Sequence, residues 1–490
     1  MARAVKRQDR YMTKICIDRQ LERVDMLLDA IKIFLKEGST ADQDQAVQLL
    51  TQMQQIAIMI GEILEQDQGD VQQLVRTLED ICELLYQMSQ ALADQQQVCI
   101  YVTQVEEHLI SLRIRLAAIT PRREIVFLPY QVSMWDSLES VWQAADSDKE
   151  VDSYVVPIPF FDVMPDGSLG ALHYHGGDYP AEVPVTSFEH YYLEERHPDV
   201  IFFHNPYDGC NAVTRVPEQY YASRLKKCAE KLVYIPYFVT EAGGPGDHQC
   251  YMPGVLFADH VIAQPGAICE KYSRIYSEKM KENGWEGLLA PAEGKFIGME
   301  SPKFDKVINS RYTMEELPTD WQQVIRRPEG SRKRIILYNL TIDVLLRFDE
   351  KLLAKIDRVF AVFKERKDDV VLLWRPHPLL MNTIHSMRPE LRDAYLSRVC
   401  AFRQEGWGIF DDTPDPNLAM AISDAYYGDW SSVFIIYRVT DKPVLIQNVE
   451  GEDELENFVD QVSAARQPVP DKHSHYGADI YAKLKELGII

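Results

Sequence analysis

Between Asp18 and Ile119 the apolar residues return at steps of three and four. Leu21, Val24, Leu28, Ile31 and Leu35 form one stripe, and Leu49, Met53, Ile56, Ile60, Ile63 and Leu64 a second. Leu74, Leu78, Ile81, Leu85, Met88 and Leu92 form a third, and Val102, Val105, Leu109, Leu112 and Leu116 a fourth. Residues so spaced share one helix face, so the pattern predicts four amphipathic helices. Breaks at Glu37-Gly38-Ser39-Thr40 and Gln68-Gly69-Asp70 supply terminating glycines and capping side chains. Each stripe must be covered, and packing of the four into one bundle is the first expectation. Association of these helices with a second copy or another protein stays open.

Beyond Pro121 the period changes. Short apolar runs at 125–129, 154–159, 200–204, 232–238 and 255–263 alternate with helical patterns at 135–145, 188–196, 220–231 and 267–283. The alternation pauses over 288–323, rich in Pro, Gly and charge. It resumes with runs at 334–338, 370–374, 408–410, 425–428 and 443–447 and helices at 350–364 and 389–400. Strand–helix alternation predicts mostly parallel sheets with helices on both faces. The expected architecture is an all-α region (1–120) followed by a GT-B-like pair of Rossmann-type α/β domains (121–290 and 291–490). A ligand cleft is expected between the two, where the carboxyl ends of the strands face each other.

Charge narrows the partners. Against 75 Asp and Glu the 490-residue chain has 52 Lys and Arg, a net charge of −23, which disfavours nucleic acid while leaving room for a local basic pocket. No apolar run reaches the about 18–20 residues of a membrane span. Arg3, Lys6, Arg7 and Arg10 are not followed by an apolar signal core. The expectation is a cytoplasmic protein, with those four residues as the place for any peripheral membrane contact. Eight cysteines without a C-x-x-C pair or Cys/His metal spacing read as reduced thiols, and no metal or other cofactor is expected.

Candidate chemistry gathers at the ends of the strand-like runs. The run at 370–374 delivers Arg375-Pro376-His377-Pro378. An arginine there can fork onto a phosphate, and a histidine can move a proton near neutral pH. The run at 425–428 leads into Asp429-Trp430-Ser431-Ser432. Asp429, Ser431 and Ser432 can cap a helix start or, with its free N–H groups, hold an anion. No Walker loop is present. On the opposing wall, His204-Asn205-Pro206-Tyr207-Asp208 follows one run and Tyr237 another. His204 is the candidate for proton transfer there, against a nearly equal reading as a hydrogen-bonded structural histidine. His173, His175 and Asp178 read as a surface loop in preference to a metal site.

From about Arg122 onward these residues resemble the CDP-glycerol glycerophosphotransferases, the teichoic-acid polymerase-like enzymes. The likeness rests on Ile297-Gly298 with Ser301-Pro302-Lys303-Phe304-Asp305, on Leu337-Tyr338-Asn339-Leu340-Thr341, on Trp374-Arg375-Pro376-His377-Pro378, and on the stretch from Asp424 to Ser432 with Lys442-Pro443. It implies a GT-B fold whose second domain holds CDP-glycerol, with Arg375, His377, Ser431 and Ser432 near the pyrophosphate and Ser301, Lys303, Thr341 and Asp429 beside it. It implies transfer of glycerol phosphate to a hydroxyl of a polyol-phosphate or glycan acceptor, with His377 steadying or protonating the CMP leaving group. The family's base is a histidine in a Trp-His-Gly-Thr-Pro motif, and here Tyr234-Ile235-Pro236-Tyr237-Phe238 stands in that place. His204 or Glu241 is then the substitute, with Asn205, Tyr207, Asp208 and Tyr237 on the acceptor side. A nucleotide-sugar glycosyltransferase and a catalytically silent nucleotide-binding or scaffold relative are the alternatives.

Overall fold

The computed structural model describes residues 14–37, 43–65, 71–119, 121–164, 166–241, 243–413, 416–451, 453–465 and 472–490. The four basic residues Arg3, Lys6, Arg7 and Arg10 and the breaks at 38–40 and 68–70 lie outside them. Four helices come first: α1 (Lys14–Glu37), α2 (Gln43–Leu64), α3 (Gln72–Gln90) and α4 (Gln95–Ala117). Each packs on the next and α4 returns to α1, closing a bundle around one apolar core. The third and fourth stripes face that core as spaced, apart from the half-buried Leu92. The first two are rotated. α1 buries Ile17, Val24, Leu27, Ile31 and Phe34 while Leu35 is exposed, and α2 buries Ala46, Leu50, Met53, Ala57, Ile60 and Leu64. The pairs Leu27/Leu28 and Leu49/Leu50 each fit two helical registers, and contact with both neighbours selects one.

The first sheet contains β1 (Arg123–Leu128) and β2 (Val151–Val155). β3 (Phe160–Val163) and β4 (Leu169–His173) leave it for a small antiparallel sheet. β5 (Val200–Phe203) rejoins the first sheet and β6 (Thr214–Arg215) the small one. With β7 (Lys231–Tyr234), β8 (His260–Ala263) and β9 (Phe296–Gly298) the parallel order is β2-β1-β5-β7-β8-β9. Strand residues alternate between two cores: Val126, Leu128, Ile201 and Phe203 on one face, Ile125, Phe127, Val200 and Phe202 on the other. That is why these runs read as continuously apolar. α5 (Glu139–Asp146) covers one face and α6 (Ala267–Glu282) the other. Two expectations change here. The run at 255–263 divides, because Pro253 starts a short helix, Pro253–Phe257, before β8. The helix expected over 220–231 is one turn, Ala222–Leu225.

After α7 (Lys303–Asn309) comes a second parallel sheet of β10 (Arg334–Leu340), β11 (Val370–Pro376), β12 (Ile409–Phe410), β13 (Ala425–Gly428) and β14 (Val444–Ile446), in the order β12-β11-β10-β13-β14. Helices that include α8 (Glu350–Glu365) and α9 (Ser432–Arg438) cover its two faces. The architecture is thus two parallel α/β sheets behind a helical region, as expected. The boundary drawn at 290/291 falls short, since β9 pairs with β8 and belongs to the first sheet. The last helix, α10 (Tyr476–Glu486), also crosses back onto α5, with Ile480 and Leu484 in the first domain's core. Asp305 of α7 secures that crossing by accepting from Ser474 Oγ at 2.6 Å, Tyr476 N at 3.0 Å and Gly477 N at 2.8 Å. Gly477 is required because a Cβ there would lie 2.5 Å from the backbone of Ser140.

Candidate functional site

In the second sheet β10 is flanked by β11 on one side and β13 on the other. The strand order reverses between β10 and β13, so the ligand crevice expected of such a sheet falls beyond their carboxyl ends. Gly428 ends β13 with φ +148°, and a Cβ on it would stand 2.3 Å from Asn339 O, so only glycine lets the two strand ends lie this close. Asn339 is buried between them. Its Nδ2 donates to Arg375 O at 3.0 Å, and its Oδ1 accepts from Ser431 Oγ at 3.0 Å. Asp429, 2% exposed, accepts from Thr341 N at 2.6 Å, from Thr341 Oγ1 at 3.0 Å and from Gln447 Nε2. Burial raises its carboxyl above the ordinary value, and the bonds from Gln447 and Thr341 oppose that rise. Asp429 therefore holds the loops after β10, β13 and β14 together.

Arg375 does not point into the crevice. Its guanidinium is buried, donating from Nη1 to Asp411 Oδ2 at 2.5 Å and from Nη2 to Thr413 O at 2.7 Å. Here Arg375 ties β11 to the loop after β12. Ser431 is the N-cap of α9, accepting from Phe434 N at 3.1 Å, and Thr341 caps the helix Ile342–Phe348 by accepting from Val344 N at 3.3 Å. Ser432, by contrast, is exposed at the first position of α9. Lys303 is buried against Asp136 of the first domain, and Ser301 Oγ is buried with no partner among the described residues. His377 is exposed. Leu379 N donates to its Nδ1 at 3.1 Å, which leaves Nε2 to carry the proton and face solvent. Burial, then the nearby Arg375 charge, holds its pKa below the usual imidazole value, so the ring is a neutral N–H donor at pH 7.

Across the crevice His204 is fully buried at the switch between β1 and β5. Tyr130 N donates to Nε2 at 3.1 Å, and Nδ1 lies 2.9 Å from Ser137 Oγ, which gives its own proton to Met134 O at 2.8 Å. The network assigns the proton to Nδ1 and uses both nitrogens, the arrangement of a hydrogen-bonded structural histidine. Burial, reinforced by Lys303, depresses its pKa to about 3. Between the ordinary 6.5 and about 3 the unfolded chain binds a proton here that the folded chain does not. This contribution is complete above pH 6.5 and lost as the pH falls through that window. Urea unfolding should show the protein losing about 1 kcal/mol from this group between pH 6.5 and 5.5, and a His204→Gln variant should lack that slope.

Tyr207 and Tyr237 meet through their hydroxyls at 3.3 Å, and Asn205 Oδ1 accepts from Tyr207 N at the same length. Asp208 turns away, with φ +48°, to accept from Ala222 N at 2.9 Å, and burial pushes its carboxyl up to about 6. Glu241, the other candidate base, is reached from the second domain: the indole N–H of Trp430, 53% exposed, donates to Glu241 Oε1 of the first domain. Asn339, Gln447 and Gly428 were missed. Asn339 and Gly428 lie in the quoted motif stretches, whereas nothing local marks Gln447.

The fold and crevice define a two-sheet α/β protein of the kind that binds ligands at strand-order reversals. Residues 277–457 match the family model of CDP-Glycerol:Poly(glycerophosphate) glycerophosphotransferase, in agreement with the resemblance read from the motifs. The match takes in His377, Asp429, Ser431 and Ser432 but not His204, Asn205, Tyr207, Asp208 or Tyr237. Among solved structures, the chain is similar to the wall teichoic acid polymerase TagF soaked with CDPG, at 14% identity and TM-score 0.37, over 84% of this chain and 88% of that one. It is similar also to the UDP-GlcNAc 2-epimerase of Methanocaldococcus jannaschii in complex with UDP-GlcNAc and UDP, at 10% identity and TM-score 0.41, over 74% and 99%. No curated protein matches it. Among the described residues no helix is long and apolar enough to cross a membrane.

Proposed function

We propose that this chain is a CDP-glycerol-type transferase that moves glycerol phosphate to an acceptor hydroxyl in teichoic-acid-type polymer synthesis. The family match over 277–457, which contains the crevice of the second sheet, carries the reading. The diphosphate would meet the Nε2–H of His377, the Ser432 hydroxyl and the first N–H groups of α9. The acceptor oxygen attacks the glycerol-bearing phosphorus and the bond to CMP breaks. A phosphate monoester has a second pKa of about 6, so CMP leaves without needing a proton. A neutral His377 then serves as a hydrogen-bond donor to the leaving oxygen and not as an acid. With His204 consumed, Glu241 is the carboxylate at the crevice mouth able to take the acceptor's proton.

Thermal unfolding with CDP-glycerol or CMP tests donor binding, since a ligand at a hundred times its Kd stabilises by about 2.7 kcal/mol. No shift with either would overturn the reading, and a shift with UDP-sugars alone would move it to a glycosyltransferase. His377→Ala should weaken the donor by about 1.5–3 kcal/mol, read as a smaller shift at fixed ligand. Glu241→Gln should keep the shift and lose CMP release with a polyol-phosphate acceptor. The engagement of both His204 and Arg375 favours one second reading, a nucleotide-binding relative without transfer. A donor shift with no CMP release from the unaltered protein would decide for it.

A further inference from the structure

The outer seam of the helical bundle between α2 and α3 is a groove of about 500 Å³. Its floor is apolar: Ile58 and Tyr86 are 52% and 54% exposed, with Val75, Leu78 and Cys82 between them. Gly61 carries no side chain at the centre, which deepens the floor. The rim is acidic, with Glu62 on α2, Glu65 just past its end and Glu79 and Glu83 on α3, and among the described residues no lysine or arginine lines the groove. From Gln54 to Glu65 the trough follows about 16 Å of helix, three turns of an occupant. Exposed apolar surface bounded by charge of one sign marks an interaction face.

We propose that this groove docks a basic amphipathic helix of a partner protein, apolar at i, i+3 or i+4 and i+7 and flanked by Lys or Arg. The charge distribution selects that occupant. A second copy docking bundle to bundle would set glutamates against glutamates, and an anionic lipid surface would meet the same repulsion. The carboxylates steer the cationic helix and the apolar floor holds it. The role is separate from the crevice chemistry, because every lining residue belongs to the helical region, on α2, α3 or the residue after α2.

The test uses the full chain and a fluorescein-labelled synthetic peptide of about 14 residues, with leucines on one face and lysines on the flanks. Fluorescence anisotropy should report saturable binding that weakens about tenfold on raising salt from about 50 to about 300 mM. Bound peptide should slow alkylation of Cys82, followed by mass spectrometry, while leaving the exposed Cys99 unaffected. Ile58→Glu and the pair Glu79→Lys with Glu83→Lys should each weaken binding about tenfold or more. These positions are on the surface, so far-UV circular dichroism should be unchanged. A scrambled peptide of equal charge that binds as well, variants that bind as the unaltered chain does, or no binding at low salt would each overturn the proposal.

Discussion

Replacing Asp411 by alanine is expected to destabilise the protein by about 3–5 kcal/mol, because it strands a guanidinium where water does not reach. Asp411 is 1% and Arg375 3% exposed. The carboxylate accepts from Arg375 Nη1 through Oδ2 and from Thr413 N at 3.0 Å and Thr413 Oγ1 at 2.7 Å through Oδ1. Among the described residues, removing it leaves the charge with Thr413 O and Oγ1. At roughly 2–4 °C per kcal/mol for a domain of this size, the midpoint should fall on the order of 10 °C. Arg375→Met with Asp411→Leu removes both charges and should recover much of that loss, since a buried pair exchanged for apolar side chains is often near neutral. CMP supplies the second readout. If Arg375 is an internal tie, the double variant keeps the nucleotide-induced shift; if it grips phosphate, folding recovers and the shift does not.

The change from a helical to a strand–helix period was legible because both sheets are parallel and covered on two faces, which makes their strands apolar throughout. The strand ends were legible too, and Asp429, Ser431 and Thr341 do converge at β10 and β13. What each side chain does there was not. Arg375 sits at a strand end as expected, but its partner Asp411 is brought to it only by the pairing of β11 with β12. His204 likewise meets Tyr130 and Ser137, 74 and 67 residues away, through the neighbouring β1 and the turn after it. A local motif reports the residue type that chemistry needs, while the partners that consume a charge or lone pair come from the other strands. His377 escaped that fate because its one bonded nitrogen is satisfied by its own turn at Leu379.

Asp429→Ala is expected to cost about 3–5 kcal/mol as well, by leaving three donors without an acceptor. Thr341 N, Thr341 Oγ1 and Gln447 Nε2 all converge on this carboxylate. Asp429→Asn separates the charge from the bonds. The amide oxygen can still serve Thr341, but the new NH₂ meets the NH₂ of Gln447. Turning Gln447 over to present its oxygen would take that acceptor from Tyr338 OH, which donates to it at 3.1 Å. The conflict cannot be relieved within the buried site, and a loss of about 1–2 kcal/mol is expected, against a gain from no longer burying a charge. Urea unfolding gives both numbers. The CMP-induced shift then distinguishes a positioning residue from a contact. If Asp429 acts by holding Thr341 and the loop that leads to Ser432, the loss of shift should follow the loss of stability across the two variants. An asparagine variant of full stability that no longer responds to CMP would instead put the carboxylate against the donor.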